Sequence, residues 1–343
     1  MHAPFQTPSR SGNLMPSSIN DLSQRMNTAR PPSAPSHYAC LLAQCKTLPA
    51  ARTAVAYPCS ADALAAVYEA MHLGLIEPIL FGPRARLESL SEEGGYTLSD
   101  IEIVEAADSR TAASRAVQYI KQGRADILMK GSSHTDELMH EVSLTETGLR
   151  TGRRISHVFA MNVPAYHKPL FITDAAINIS PSLSDKRDIC QNAIDMVRAL
   201  GIAQPKVAIL SALETVTEKI PSTLDAAALC MMSLRGQIEH GCLDGPLAFD
   251  NAISAEAARI KGIRSEVAGQ PDILLVPDLV SGNMLAKQLT YLANAGCAGI
   301  VLGASVPIVL TSRADSVHAR IGSCAIAVLL AHRAAPTTRP GGR

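Results

Sequence analysis

Near the C-terminus, Thr311, Ser312 and Arg313 follow the apolar run PIVL, and Asp315 and Ser316 open an alanine-rich helical pattern. A hydroxyl and a guanidinium beside a helix N-terminus suit a tetrahedral anion. The guanidinium offers parallel charge-assisted hydrogen bonds, and the first-turn N–H groups point at the same oxygens. An ordinary capped helix with a solvated arginine is the competing reading. Further arginines, Arg150, Arg153 and Arg154, cluster in LRTGRRISH just ahead of another apolar run. Such a cluster fits phosphate, or simply a solvated loop.

Three more polar groups sit where apolar runs end, and one sits where a helix is expected to begin. ILMKGSSHT carries Lys130, Gly131, Ser132, Ser133, His134 and Thr135. A lysine there belongs to a site, whereas Ser133 and Thr135 ahead of Asp136 and Glu137 also read as helix caps. FITDAAINISP supplies Asp174 and Asn178, with turn formation as the alternative for the aspartate. LDGPLAFDNAIS supplies Asp244, Asp250 and Asn251, of which the last two could cap the next helix. VPDLVSGNMLAKQL places Ser281, Gly282 and Asn283 at an expected helix start, where backbone N–H groups attract an anion.

These residues can act together only if the fold gathers them. From residue 53 onward short apolar runs alternate with amphipathic ones: strands at 53–57, 78–82, 101–106 and 125–131, helices at 61–73, 84–92 and 109–123. Strict alternation with short Gly- or Pro-marked joints predicts right-handed βαβ units and a mostly parallel sheet. Residues 155–174 break the rhythm with two apolar runs joined by a short Pro164–Pro169 link, which suits an antiparallel hairpin. Alternation then resumes to the final helix from about 315. Ligands of open α/β sheets bind beyond the carboxyl ends of strands, where the polar groups lie. The expected division is an N-terminal arm over 1–38, a first α/β domain of 39–154 plus about 300–334, and a second over 155–299.

Composition narrows the function classes. Basic and acidic residues number 31 each, for a net charge of zero, and no block of like charge points to nucleic acid or an anionic membrane surface. No apolar run reaches the roughly 18 residues of a membrane span. Residues 1–38 are rich in Ser, Pro and Asn with one acid, Asp21, and hold no apolar core of a secretory signal. That composition predicts a disordered arm. Eight cysteines without C-x-x-C or His pairing read as structural thiols of a reducing cytoplasm, not as a metal site. Neither the dinucleotide fingerprint G-x-G-x-x-G after the first strand, nor a P-loop, nor G-x-S-x-G occurs.

The segments ADILMKGSSHTDELM, RTGRRISHVFAMNVP, ITDAAINISPSLSDKRDICQNAI, LDGPLAFDNAIS, PDILLVPDLVSGNMLAKQL and GIVLGASVPIVLTSRADS resemble, in this order, the phosphate acetyl/butyryltransferase family. The resemblance covers about residues 50–333. It implies two doubly wound α/β domains like those of isocitrate and isopropylmalate dehydrogenases, with the active cleft between them, usually in a homodimer. It implies reversible transfer of a short acyl group, acetyl or butyryl, between coenzyme A and phosphate. No metal or cofactor is required, because the CoA thioester and phosphate are themselves the substrates. Ser312 and Arg313 match the family's Ser-Arg pair for phosphate and the reacting thioester. A fixed cation and hydroxyl would stabilise the negative charge that phosphate attack builds on the carbonyl oxygen. Lys130, Gly131, His134, Thr135, Arg153, Arg154, Asp174, Asn178, Asp250, Asn251 and Asn283 are the candidate substrate-binding residues.

One position departs from the pattern. Acetyltransferase members carry an aspartate seven residues after the serine, and here that place is Ala319. TSRADS and DGPLAFDNA instead look like the butyryltransferase branch. Asp315 or His318 is then the candidate base for the CoA thiol. Two alternatives stand beside the acyltransferase: a metal- and NAD(P)-dependent dehydrogenase of the related fold, and a non-catalytic CoA-binding regulatory module.

Overall fold

The computed structural model of the chain describes residues 37–311 and 315–334. The strands are β1 (Ala51–Ala56), β2 (Ile76–Gly82), β3 (Glu102–Glu105), β4 (Ile127–Lys130), β5 (Ser156–Asn162), β6 (Leu170–Thr173), β7 (Lys206–Leu210), β8 (Cys242–Leu247), β9 (Ile273–Leu275), β10 (Gly296–Leu302) and β11 (Ile308–Val309). The helices are α1 (His37–Cys45), α2 (Ala61–His72), α3 (Arg84–Gly94), α4 (Ser109–Lys121), α5 (Thr135–Ser143), α6 (Leu183–Ala199), α7 (Pro221–Leu234), α8 (Phe249–Ile253), α9 (Ala255–Ile260), α10 (Leu279–Leu292) and α11 (Val317–Ala334). The alternation predicted from sequence holds. The α1 and α8 helices were not foreseen, because α8 is a single turn hidden between a strand and the next cap.

Local signals start the helices. Ser60 caps α2 through Ala63 N, Asp108 caps α4 through Thr111 N, and Ser182 and Asp185 form a reciprocal capping box on α6. Their apolar faces follow helical spacing: Ala112, Ala113, Ala116, Val117 and Ile120 are all buried on α4.

All eleven strands join one sheet in the order β3-β2-β1-β4-β11-β10-β5-β6-β9-β7-β8. The first four strands and β11 are parallel to one another, as are β6, β9, β7 and β8. Between these blocks, β10 and β5 pair antiparallel with each other and with their outer neighbours. The 155–174 hairpin is therefore present as expected, and it reverses the sense of the sheet. From His37 onward the chain is one compact unit. Residues 51–130 supply one end of its sheet and residues 156–275 the other, with β10 and β11 in the middle.

The two faces of the sheet differ. On one, a single apolar cluster runs from Val55 and Met129 through Val309, Ile300 and Val158 to Phe171, Ile273 and Val207, covered by α2, α6 and α11. On the other, the core is split. Leu128, Ile308, Leu310 and Val301 belong to one cluster with α4 and α5, while Met161, Ile172, Leu274 and Ala208 belong to a second. Side chains alternate across a strand. Lys130 on β4 and His157 on β5 therefore point to this split face, opposite their neighbours Met129 and Val158. Polar residues occupy the seam between the two apolar clusters.

Candidate active site

One row of paired residues crosses the sheet: Val55, Met129, Val309, Ile300, Val158, Thr173, Leu275 and Ile209. The first parallel block ends one step past this row on one side, at Lys130 and Leu310. The second block, running the other way, ends one step past it on the other side, at Asp174. The two sets of carboxyl ends thus face opposite edges of the sheet, with β10 and β5 between β11 and β6, which stand about 14 Å apart by three interstrand spacings.

On the β4 side, Lys130 is 3% exposed, and its Nζ donates to the carbonyls of Ser133 (3.0 Å) and Gly131 (3.3 Å). Gly131 permits a tight turn, because a Cβ there would stand 2.4 Å from the Tyr57 carbonyl oxygen. That carbonyl accepts from Ser132 N at 2.8 Å and Ser132 Oγ at 2.9 Å. Tyr57 itself adopts φ 56°, the left-handed region that costs a bulky residue free energy and concentrates at functional sites. His134 is exposed at the N-cap position of α5 without a side-chain cap bond, and Thr135 is the first helical residue. The capping alternative raised for Ser133 is not realised: its buried Oγ has no hydrogen-bond partner.

On the β6 side a polar hub forms. Buried Asp174 accepts from the backbone N–H groups of Ala176 (2.9 Å), Ile177 (3.1 Å) and Asn178 (3.2 Å), and from the Asn178 amide at 2.5 Å. The Asn178 Nδ2 also donates to Ile155 O, and its Oδ1 accepts from Arg154 Nε at 2.7 Å. Asp185 stands 3.6 Å from the same Nε, and Asp188 Oδ2 accepts from Arg154 N. Arg154 is aimed yet still exposed at its tip. Its Nη groups keep the donors that suit a phosphate oxygen.

The remaining candidates do not all converge. Arg153 turns to α6, pairing with Asp195 at 2.5 Å in a separate polar groove with Arg187, Asp188 and His240. Asp250 and Asn251 lie beyond β8 at the far edge of the sheet. Asp250 pairs with Lys261 (3.1 Å), which holds the carboxyl below its usual range, and the Asn251 amide donates to Glu214. The helix containing Asn283 starts earlier than its sequence suggested: Asp278 caps it by accepting Ser281 N at 2.8 Å. The Ser281 N–H expected to face an anion is therefore already bonded. Asn283, in the second turn, donates to Ala175 O at 3.1 Å and ties α10 to the Asp174 loop.

Ser312 and Arg313 lie outside the described residues. Thr311 before them is buried, and its Oγ1 has no hydrogen-bond partner. After them Asp315 is half-buried, its carbonyl accepting from Arg320 Nε, and Ser316 Oγ caps Ala319 N at 3.2 Å. His318 is exposed beside the Tyr38 ring. Sequence reasoning missed His157, Tyr57 and the carboxylates of Asp185 and Asp188. A lone histidine inside the apolar run ISHVFAM was the one available signal for the first.

The fold is that of an α/β protein built on one mixed sheet, with a buried lysine closing β4 and an anchored arginine ahead of β5. The family profile described as "Phosphate acetyl/butaryl transferase" matches residues 109–328, and the chain belongs to that family. It is 59% identical over 302 residues to a phosphate acetyltransferase of Rhizobium meliloti, covering 88% of this chain and 96% of the relative. It is 42% identical over 280 residues to a phosphate butyryltransferase of Clostridium acetobutylicum, covering 82% and 93%. The crystal structure of a branched-chain phosphotransacylase from Enterococcus faecalis superposes with a TM-score of 0.72 at 31% identity, over 82% of this chain and 99% of that one.

Proposed function

We propose that this chain is a phosphate acyltransferase that moves a short acyl group between coenzyme A and inorganic phosphate. The observation that carries the reading is 59% identity to a phosphate acetyltransferase along nearly the whole chain. A phosphate oxygen attacks the thioester carbonyl, and the C–O bond forms as negative charge gathers on the carbonyl oxygen. Collapse breaks the C–S bond to give acyl phosphate and CoA thiolate, which takes up a proton; the reverse reaction begins with its removal. Lys130 and Arg154 supply positive potential on the two sides of the seam, and Ser312 and Arg313 hold phosphate and the developing oxyanion. Holding both substrates together supplies the proximity term. Asp315, three residues past Ser312, is the proposed proton acceptor where Ala319 cannot serve.

Direct attack in a ternary complex is favoured over an acyl-cysteine route. Cys59 meets the site loop, its N–H held by Ser132 Oγ, but burial pushes its thiol up to about 11. At neutral pH it is not the thiolate that nucleophilic attack requires. No cofactor is needed in this scheme. The two ends of the sheet act as two domains about the cleft. The reaction belongs in the cytoplasm, with its CoA pool and reducing conditions; all eight cysteines are free thiols, and among the described residues no helix is long and apolar enough to cross a membrane.

A homodimer is part of the proposal. Val280, Met284, Tyr291 and Leu292 on α10 are each more than 60% exposed. A groove of about 830 Å³ lined by Phe249, Met284 and Leu289 lies along α10. Contiguous apolar surface of this kind marks a protein interface, and a second copy is the occupant proposed.

The deciding measurement is arsenate-dependent loss of thioester absorbance with acetyl-CoA and butyryl-CoA. Turnover of either is the expected result, and the ratio of rates assigns acyl length. Absence of turnover with both would leave a CoA-binding module.

A further inference from the structure

His157 is fully buried at the midpoint of the seam, and the reaction as outlined leaves it without a task. Neither ring nitrogen makes a hydrogen bond of regular length and angle, in a protein interior where such groups are rarely left unmatched, although the Leu310 carbonyl is close enough to act on the ring. The ring leans diagonally across β10 and over Gly299. A Cβ at Gly299 would lie 2.8 Å from His157 Nε2 and 2.8 Å from the Leu310 carbonyl oxygen. The missing side chain is thus what lets imidazole and carbonyl approach. Phe159 meets the ring edge-on at 4.3 Å between centroids. On the other side, Thr173 Oγ1 donates to His157 O at 2.9 Å, bringing the Asp174 turn alongside.

Burial pushes the imidazole down to about 4, while the Asp174 carboxylate and the Leu310 carbonyl pull it back up. Asp174 is the charged group acting on the ring; its neighbours on β10 and β11, Gly299, Val301 and Leu310, carry no charge. At neutral pH the ring is therefore uncharged, with one N–H to give. Zero exposure keeps it from touching a CoA thiol, so it does not replace the missing base at Ala319.

We propose that His157 is a positioning residue for acyl transfer: its Nε2–H is directed at the Leu310 carbonyl and fixes the end of β11 from which Thr311, Ser312 and Arg313 continue. The inference rests on the acyltransferase reading above. It predicts that disturbing His157 lowers the rate of the chemical step more than it weakens substrate binding, since small displacements of reacting groups cost much of the proximity term.

Three proteins test it: wild type, His157→Phe and His157→Gln. Phenylalanine keeps the ring shape without the N–H; glutamine keeps an N–H at similar reach without the ring. His157→Phe should lose about 10- to 100-fold in kcat with KM for acyl-CoA and phosphate within about twofold, and His157→Gln should recover most of that loss. A packing role gives the opposite order, with phenylalanine the better replacement, and that order would overturn the proposal. So would unchanged kcat in His157→Phe beside an active wild type. Imidazole 15N shifts in the wild-type protein give a second reading that needs no variant to fold. A neutral ring protonated on Nε2 is expected, and a charged ring or a proton on Nδ1 alone at pH 7 refutes the assignment. No turnover in wild type removes the acyltransferase reading, and this inference with it.

Discussion

Arg154 donates through Nε to Asn178 Oδ1 at 2.7 Å, and the same asparagine gives its amide to Asp174 at 2.5 Å. The aspartate is itself held by three backbone N–H groups of the turn that follows β6. A buried carboxylate thus aims an exposed guanidinium without touching it. Removing the middle member should free Arg154 while leaving a buried acceptor short of a partner, at a cost of about 1–3 kcal/mol. Asn178→Ala is expected to raise KM for phosphate or acyl-CoA and to lower the unfolding midpoint in denaturant. An unchanged KM would detach Arg154 from substrate binding.

Arg313 is proposed above to hold phosphate and the developing oxyanion. Arg313→Gln keeps length and hydrogen-bonding capacity but removes the charge, so activity should fall by about 100-fold or more, as when a transition-state donor is lost. Circular dichroism and Tm should stay near those of wild type. Equal turnover would refute the assignment.

His157 gives the stability of the protein a pH dependence of defined sign. Its folded-state value lies below its ordinary 6.5. Above 6.5 both folded and unfolded chains hold it neutral. As pH falls from 6.5 towards 4, the unfolded chain binds a proton that the folded one refuses, and stability drops by up to about 1.4 kcal/mol per pH unit. Denaturant unfolding at pH 7.5, 6, 5 and 4.5 should therefore show a steeper acid loss in wild type than in His157→Phe. Parallel curves would mean that the ring is not held neutral.

Gly299→Ala places a methyl group against both the His157 ring and the Leu310 carbonyl. The β10 strand can yield only by separating from β5 or β11, so a loss of about 1–3 kcal/mol is expected. If His157 acts through Leu310, kcat should fall here too, and the double variant with His157→Phe should be no slower than the worse single one. Additive losses would show that the two positions act independently.

Charging the apolar face of α10 should keep the protomer folded and separate it from its copy. Met284→Asp combined with Leu292→Asp is expected to shift light-scattering mass from dimer to monomer. A monomeric wild type, or a variant still dimeric, would assign another partner or interface.

Much of the architecture was legible because it is local. Short apolar runs and the Pro164–Pro169 link of the hairpin act over a few residues, and both reappear in the structure; Ser133, Asp250 and Asn251, read as possible caps, cap no helix. The polar strand ends were legible too: buried Lys130 closes β4 and buried Asp174 follows β6, while Arg154 stands two residues ahead of β5. Asn283 was misplaced by one helical turn because Asp278, rather than Ser281, won the competition to cap. Arg153 and Arg154 are adjacent and chemically equal in sequence, and only the α6 carboxylates send one to the hub and the other to a separate groove.

By itself the sequence determined the element order, the α/β class and the family, since short-range patterning and motif order are written along the chain. The tertiary structure decided that the two parallel blocks run in opposite senses and end about one row of the sheet. It also decided that the core is continuous on one face and split on the other, and that His157 lies in that split between Leu310 and Asp174. Those relations join residues 17 to more than 150 positions apart, and they are set by strand pairing and burial, which no local spacing encodes.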